Sequence, residues 1–275
     1  MEHADVGYLE AKRPIDDAAL DRNIAESFRA RLPHNPTIID LGCGTGSMLG
    51  RLIEWGLDAG TYWGIDADEL VLEAARDLRL AEAQERDAVT ASTDERMEID
   101  GITAMFECAD ALGRLRTLES PDAIIGLSFA DLVEPAALLE AVDAVATPGT
   151  QLYLPITFDD LTVFTPTDAH DTAVIDAFHA TMRREGVPDA GRRLISRLTG
   201  WSGRLEVASS DWIMQPGVEG YDGQQRLFLG HILDLIEGAT SGTAAAAGWL
   251  RRRRAQLEAD ELGYIAHQYD LLYRF

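Results

Sequence analysis

Ile38-Ile39-Asp40-Leu41-Gly42-Cys43-Gly44-Thr45-Gly46, followed by Ser47-Met48-Leu49, decides how the rest of the chain is read. An apolar, β-branched run enters an acidic residue, glycines then fall at every second position, and a helical pattern begins. A strand that reaches a tight glycine-rich turn and opens a helix points backbone N–H groups at an anionic or polar ligand. Glycine is needed there because a Cβ would block both the left-handed turn and the close approach of a ligand. The spacing is not the dinucleotide fingerprint G-x-G-x-x-G, since position 47 is Ser, and no Gly-Lys-Ser/Thr follows as in a P-loop. Asp40 sharpens the reading. A pyrophosphate would not want a carboxylate two residues before the first glycine, whereas a cationic, amine-bearing ligand would.

Working outward, strands and helices alternate. Thr37 to Leu41 reads as the first strand and about 46 to 55 as the first core helix. Thr61 to Ile65 is the second strand, ending at Asp66, where a carboxylate is placed to accept hydrogen bonds from ribose hydroxyls. Asp68 caps a long helix to about residue 86. Residues 87 to 100 read as an exposed loop or frayed helix end. Strands follow at 102–108, 123–128 and 151–156, with a helix from about 135 to 146. Near-continuous apolar strands alternating with helices mean a mainly parallel sheet covered on both faces. Ligands of such sheets bind outside the carboxyl ends of the strands. Asp40, Asp66, Asp110 and Ser128 all fall at those ends, a constellation that points to a nucleoside-bearing cofactor.

The acidic-x-Gly-x-Gly-x-Gly stretch from Asp40 to Gly46 resembles motif I of the class I S-adenosylmethionine-dependent methyltransferases, and the resemblance covers about residues 37 to 156. It implies an α/β, Rossmann-like, seven-stranded and mostly parallel sheet. It also implies S-adenosyl-L-methionine as cofactor, with the Gly42–Gly46 loop at its methionine moiety, Asp66 at the ribose and Asp110 at the adenine amino group. The cofactor-binding set read this way is Asp40, Gly42, Cys43, Gly44, Gly46, Asp66, Ala67, Asp110, Ala111 and Ser128. Position 110 can instead be read as a helix N-cap, and that alternative stays open at this point.

Either side of this core the chain adds helices. Residues 1–36 read as a lead-in with one amphipathic helix from about 15 to 31, started by Pro14 and ended by Pro33 and Pro36. Residues 37–275 read as a single domain. Helices are expected over 168–185 and 189–199, capped by Asp168 and Asp189, then a strand over 205–214 carrying Trp212. Two more helices, 224–237 and 243–259, precede a last strand from 263. The segments 157–200 and 215–260 are therefore the expected helical cap over the substrate, the second inserted between the final two strands.

Composition bounds the partners. The 275 residues, 46% hydrophobic and 26% charged, are those of a globular chain with a sizeable core. No apolar run approaches the roughly 20 residues that span a bilayer, and residues 1–5 do not resemble a signal peptide. Two cysteines, Cys43 and Cys108, make no disulfide framework, which fits a cytoplasmic setting. Net charge is −23, from 47 acidic against 24 basic residues. Lys12 is the only lysine. Such a surface repels polyanions, so DNA and RNA are poor substrates. It fits a protein of a high-salt cytoplasm as well as a merely acidic mesophilic protein.

These readings combine into a methyl-transferring enzyme (class 2.1.1) acting on a small-molecule acceptor; oligomeric state and catalytic residues are not readable. Ser128-Phe129-Ala130-Asp131 follows strand four where amino-group DNA methyltransferases carry Asn-Pro-Pro-Tyr, and there is no Pro-Cys nucleophile or metal-ligand spacing. His170 and His179 could reach a substrate but read first as exposed structural residues. Trp201 and Trp212 read as core before they read as an aromatic wall. Arg251 to Arg254 reads as a solvated, salt-bridged helix face. Lys12 or Arg13 could close on the cofactor or lie on the surface. Two alternatives stay open: a cofactor-binding protein without chemistry, and aminopropyl transfer, for which Asp131 and Glu134 would supply an acidic diamine pocket.

Overall fold

The computed structural model describes residues 6–93, 96–241 and 244–275. Its strands are β1 (Thr37–Leu41), β2 (Gly60–Asp66), β3 (Val89–Ser92), β4 (Met97–Ile99) and β5 (Ile102–Cys108), then β6 (Ala123–Ile125) and β7 (Gln151–Thr165), and finally β8 (Arg204–Ser209), β9 (Trp212–Met214) and β10 (Gly263–Arg274). They form one sheet in the order β3-β4-β5-β2-β1-β6-β7-β10-β8, with β9 also pairing β10. The five strands β5, β2, β1, β6 and β7 are parallel, and β10 runs antiparallel to β7, β8 and β9.

The helices are α1 (Val6–Ala19), α2 (Arg22–Arg29), α3 (Ser47–Glu54), α4 (Glu69–Glu85) and α5 (Ala111–Leu115), then α6 (Pro135–Asp143), α7 (Asp171–Glu185), α8 (Ala190–Leu198), α9 (Gly223–Ala239) and α10 (Ala244–Glu258). Alternation along the strands divides the core between two faces. Ile38, Tyr153 and Leu272 pack on one side, and Ile39, Leu154 and Leu271 on the other. A third cluster joins α1, α7, α9 and α10 to the outer ends of β7 and β10, around Phe164, Phe228 and Trp249. That cluster forms a cap beside the strand ends.

Several expectations need correction. Among the described residues the sheet has ten strands, not seven, because β3 and β4 pair antiparallel on its edge where a loop was expected and the strand expected over 205–214 is broken in two. Met97 and Ile99 are buried there, an alternation that the polar centre of the segment hides. Residues 94 and 95 lie outside the described residues. The lead-in is two helices: Pro14 sits inside α1, and Asp21 accepts from Ile24 N–H at 2.8 Å to start α2. The fourth strand stops at Ile125. The fifth runs on to Thr165, so residues 157–165 are strand, not helical cap. Residues 205–214 break into β8 and β9, because Asp211 turns in to accept from Gln268 N–H.

Cap assignments shift as well. His170, not Asp168, precedes α7, and the Asp168 carboxylate pairs with Arg252; Asp189 precedes α8 without a side-chain cap bond. Of the four consecutive arginines, Arg253 is fully buried, donating to Asp171 and to Pro166 O and lying over Phe164 and Trp249. It is a core cation rather than part of a solvated face. Helices α9 and α10 lie between β9 and β10.

Candidate functional site

The loop from Gly42 to Gly46 hangs on the end of β2. Cys43 N–H donates to Ile65 O at 3.1 Å, and Gly44 N–H donates to Asp66 Oδ2 at 2.9 Å. Asp66 Oδ1 meanwhile accepts from Asp68 N–H at 3.1 Å. One carboxylate thus ties the first loop to the entrance of α4. Gly42, Gly44 and Gly46 all have positive φ, at 63°, 52° and 71°. A Cβ on Gly42 would lie 2.5 Å from the Phe129 ring, whereas one on Gly44 would meet only Leu9, at 3.6 Å. The first glycine is required by packing. The second leaves open space on the ligand side.

Asp40 is buried at 1% exposure and accepts from the Tyr62 hydroxyl through Oδ2, while its Oδ1 has no hydrogen-bond partner among the described residues. Burial pushes its pKa up to about 7, against the opposing pulls of the Tyr62 hydrogen bond and Arg51. Such a carboxylate is poised to accept a cationic or N–H-donating group.

Asp40, Gly42, Cys43, Gly44, Asp66, Ala67 and Ser128 line a single cavity of about 720 Å³. Three expected residues do not. Gly46 is the N-cap of α3, where a Cβ would strike Phe106 at 2.9 Å. Asp110 caps α5, accepting from Gly113 N–H at 2.6 Å, and Ala111 is buried in the core beneath it. The N-cap reading of position 110 describes what its carboxylate does. The Cys43 thiol is buried, and desolvation holds its pKa well above the usual value.

The cavity continues past the strand ends into the cap, where Phe158, Phe178, Met182, Trp212, Ile232 and Tyr264 form its walls. Helix α1 closes one side. Its Lys12 is 8% exposed and donates to Asp16 Oδ2 at 2.6 Å and Ser128 Oγ at 2.9 Å, lying over the Trp212 ring. Trp212 Nε1 donates to the other Asp16 oxygen at 3.0 Å. Arg51 with Asp17, Arg13 with Glu54 and Glu82, and Arg79 with Glu10 fasten α1 to α3 and α4. Lys12 therefore lines the cavity and Arg13 serves as a strut.

The two tryptophans separate: Trp212 is cavity wall, while Trp201 packs on Tyr273 and Phe275. His179 is buried rather than exposed, bonded to Thr162 Oγ1 at 3.0 Å, and burial lowers its pKa; His170 is exposed and pairs with Asp168. The residues missed by sequence reasoning are those of α1 (Tyr8, Leu9, Asp16), the β7 extension and Gln268. Only Lys12, as the one lysine of the chain, carried a signal. Among the described residues no His, Cys, Asp or Glu group could hold a metal ion, and no helix is long and apolar enough to cross a membrane.

No family model and no curated protein matches the chain in sequence. Solved structures that resemble it include an S-adenosylmethionine-dependent methyltransferase from Thiobacillus denitrificans in complex with S-adenosyl-L-homocysteine, 19% identical over 95% of this chain and 97% of that one, at a TM-score of 0.48. Another, from Geobacter sulfurreducens and also with S-adenosyl-L-homocysteine, is 15% identical over 94% and 92%, at 0.49. The plantazolicin methyltransferase BamL is 14% identical over 96% and 85%, at 0.46. Each score lies below 0.5, and the site is defined by this chain's own residues.

Proposed function

We propose that the protein is an S-adenosylmethionine-dependent methyltransferase acting on a small molecule. The observation that carries this reading is the junction of Asp40, the Gly42–Gly44 turn and Asp66 at one end of a cavity that also has an apolar cap end. The residues fit the cofactor chemically. Asp40 Oδ1 is a buried carboxylate oxygen without a partner, suited to the amino group of a methionine moiety. The open side of Gly44 leaves room for close backbone approach. Asp66, at the end of β2, retains acceptor capacity for ribose hydroxyls beyond its two backbone bonds.

Bound there, the cofactor would supply an electrophilic methyl group on a cationic sulfur. The chain's part is alignment and desolvation, since in-line displacement depends chiefly on holding the reacting atoms together. Tyr8, Leu9 and Lys12 of α1 cover the cavity from water, and Phe158, Phe178 and Ile232 face the acceptor. The acidic surface supports a small acceptor over a nucleic acid. Aminopropyl transfer is less well supported, because Glu134 pairs with Arg193 and does not line the cavity, leaving Asp131 alone.

Titration calorimetry with S-adenosyl-L-homocysteine, followed by methyl transfer from labelled S-adenosylmethionine to an acceptor panel, tests this reading. Micromolar binding with turnover is expected. Binding without turnover on any acceptor would favour a cofactor-binding protein that does no chemistry.

A further inference from the structure

The cap end of the cavity is apolar except for a short set of polar groups, and most of these satisfy one another. Lys12, Asp16, Ser128 and Trp212 Nε1 form one closed network. Thr162 is bonded to His179. Two lining residues outside the loop end keep an atom without a partner among the described residues: Asp131, whose Oδ1 is a buried acceptor, and Gln268, 1% exposed, whose Nε2 is a buried donor. An unmet acceptor and an unmet donor in apolar surroundings are each costly until a ligand pairs with them.

Ligand chemistries answer these demands differently. An ammonium supplies donors only and leaves Gln268 unanswered. A carboxylate supplies acceptors only and meets the repulsion of Asp131 and Asp16, because the one lysine is already committed to Asp16 and Ser128. A hydroxyl supplies one donor and two lone pairs. The mouth of the cavity is edged by Leu70, Leu132 and Leu235, which are 55%, 61% and 45% exposed and so present apolar surface to an entering molecule.

Resting on the methyltransferase reading above, we propose that the cap end is the acceptor site for an apolar molecule bearing a neutral hydroxyl, with Asp131 as the specificity-determining residue that takes the hydroxyl's hydrogen bond. Burial pushes the Asp131 carboxyl up to about 6, against the pull of Lys12. The other ionisable groups near this cluster are Tyr8 and Asp16 on α1 and Tyr264 on β10. Asp131 and Asp16 both act on the Tyr8 hydroxyl, whose pKa burial and these neighbours raise. Above about pH 6 the carboxylate is charged and is the stronger acceptor for an O–H donor.

The test uses 4-butylphenol as probe, against 4-butylanisole, which lacks the O–H, and 4-butylbenzoate, which is anionic. Affinities are measured by calorimetry on the full chain, with and without S-adenosyl-L-homocysteine. The phenol is expected to bind about tenfold more tightly than the anisole, the worth of one hydrogen bond to a charged group, with the benzoate weakest. Its affinity should rise severalfold between about pH 5 and pH 7.5, while the phenol itself stays neutral. Asp131→Asn should abolish both the pH dependence and most of the preference, with S-adenosyl-L-homocysteine affinity held within about twofold. A phenol bound no better than the anisole, or a flat pH profile in the wild type, overturns the proposal even if the variant cannot be made. Cofactor-product binding in the wild type is read separately, so loss of the methyltransferase reading would be distinguished from loss of this one.

Discussion

The two ends of the cavity are built by different means. At the strand ends, backbone does the shaping: positive-φ glycines, two N–H groups gathered by Asp66, and a buried carboxylate at residue 40. In the cap, side chains from α1, the β7 extension, α7, α9 and β10 meet around an apolar space, with few polar groups unpaired. A backbone-built end tolerates little, since one Cβ or one lost carboxylate moves the loop. A side-chain-built end can exchange residues of similar volume with modest cost. On the proposed reading, the first end would hold the cofactor and the second the acceptor.

Substitutions at the two ends should separate accordingly. The largest effect is expected at Gly42→Ala, where the new methyl meets the buried Phe129 ring and the backbone is held at positive φ. Stability should fall by about 2–3 kcal/mol, and S-adenosyl-L-homocysteine affinity by roughly a hundredfold. Thermal melts and calorimetry on the one variant check both, and a stable variant with normal affinity would break the contrast. At Asp66→Ala, loss of charge-assisted bonds to a ribose should weaken affinity roughly tenfold to a hundredfold. Because that carboxylate also holds Gly44 and Asp68 N–H, stability should drop too, by about 1–2 kcal/mol. Stability loss with intact affinity would contradict the ribose assignment.

Asp40→Asn should move the two properties in opposite directions. Folding raises the Asp40 pKa to about 7, so the native state binds the proton more tightly than the unfolded chain, and wild-type stability falls as pH rises from about 4 to about 7. The amide cannot ionise and escapes that loss. The variant should therefore be more stable than wild type by about 1 kcal/mol above pH 7, with the gap closing toward pH 4, while cofactor-product affinity falls. A gap that instead widens in acid would reverse the sign. The smallest effect belongs to the cap rim. Leu235→Ser, at a position already 45% exposed, should change stability by less than about 0.5 kcal/mol and leave cofactor-product affinity within twofold.

How much could be read from sequence follows the same division. The loop glycines, Asp40 and Asp66 announce themselves because backbone geometry restricts which residues fit, and the strand ends are marked by local apolar runs. The cap was legible as helices expected over a substrate, but most of the side chains that line its cavity were not. Tyr8, Phe158 and Gln268 line one cavity from α1, β7 and the last strand, and no local pattern records residues more than a hundred positions apart sharing a wall. Asp110 reads two ways because an acidic residue at a strand end and a helix N-cap look alike in sequence; in the structure its Oδ2 accepts from Gly113 N–H, the bond of an N-cap. Arg253 hid in a run of arginines whose other members are exposed or surface-paired.

Titration of the wild-type protein with S-adenosyl-L-homocysteine tests the central claim most directly. Saturable one-site binding in the micromolar range, weakened by Asp66→Ala and left intact by Leu235→Ser, is the expected result. No heat of binding at millimolar ligand, from protein whose melting curve shows it folded, would contradict it.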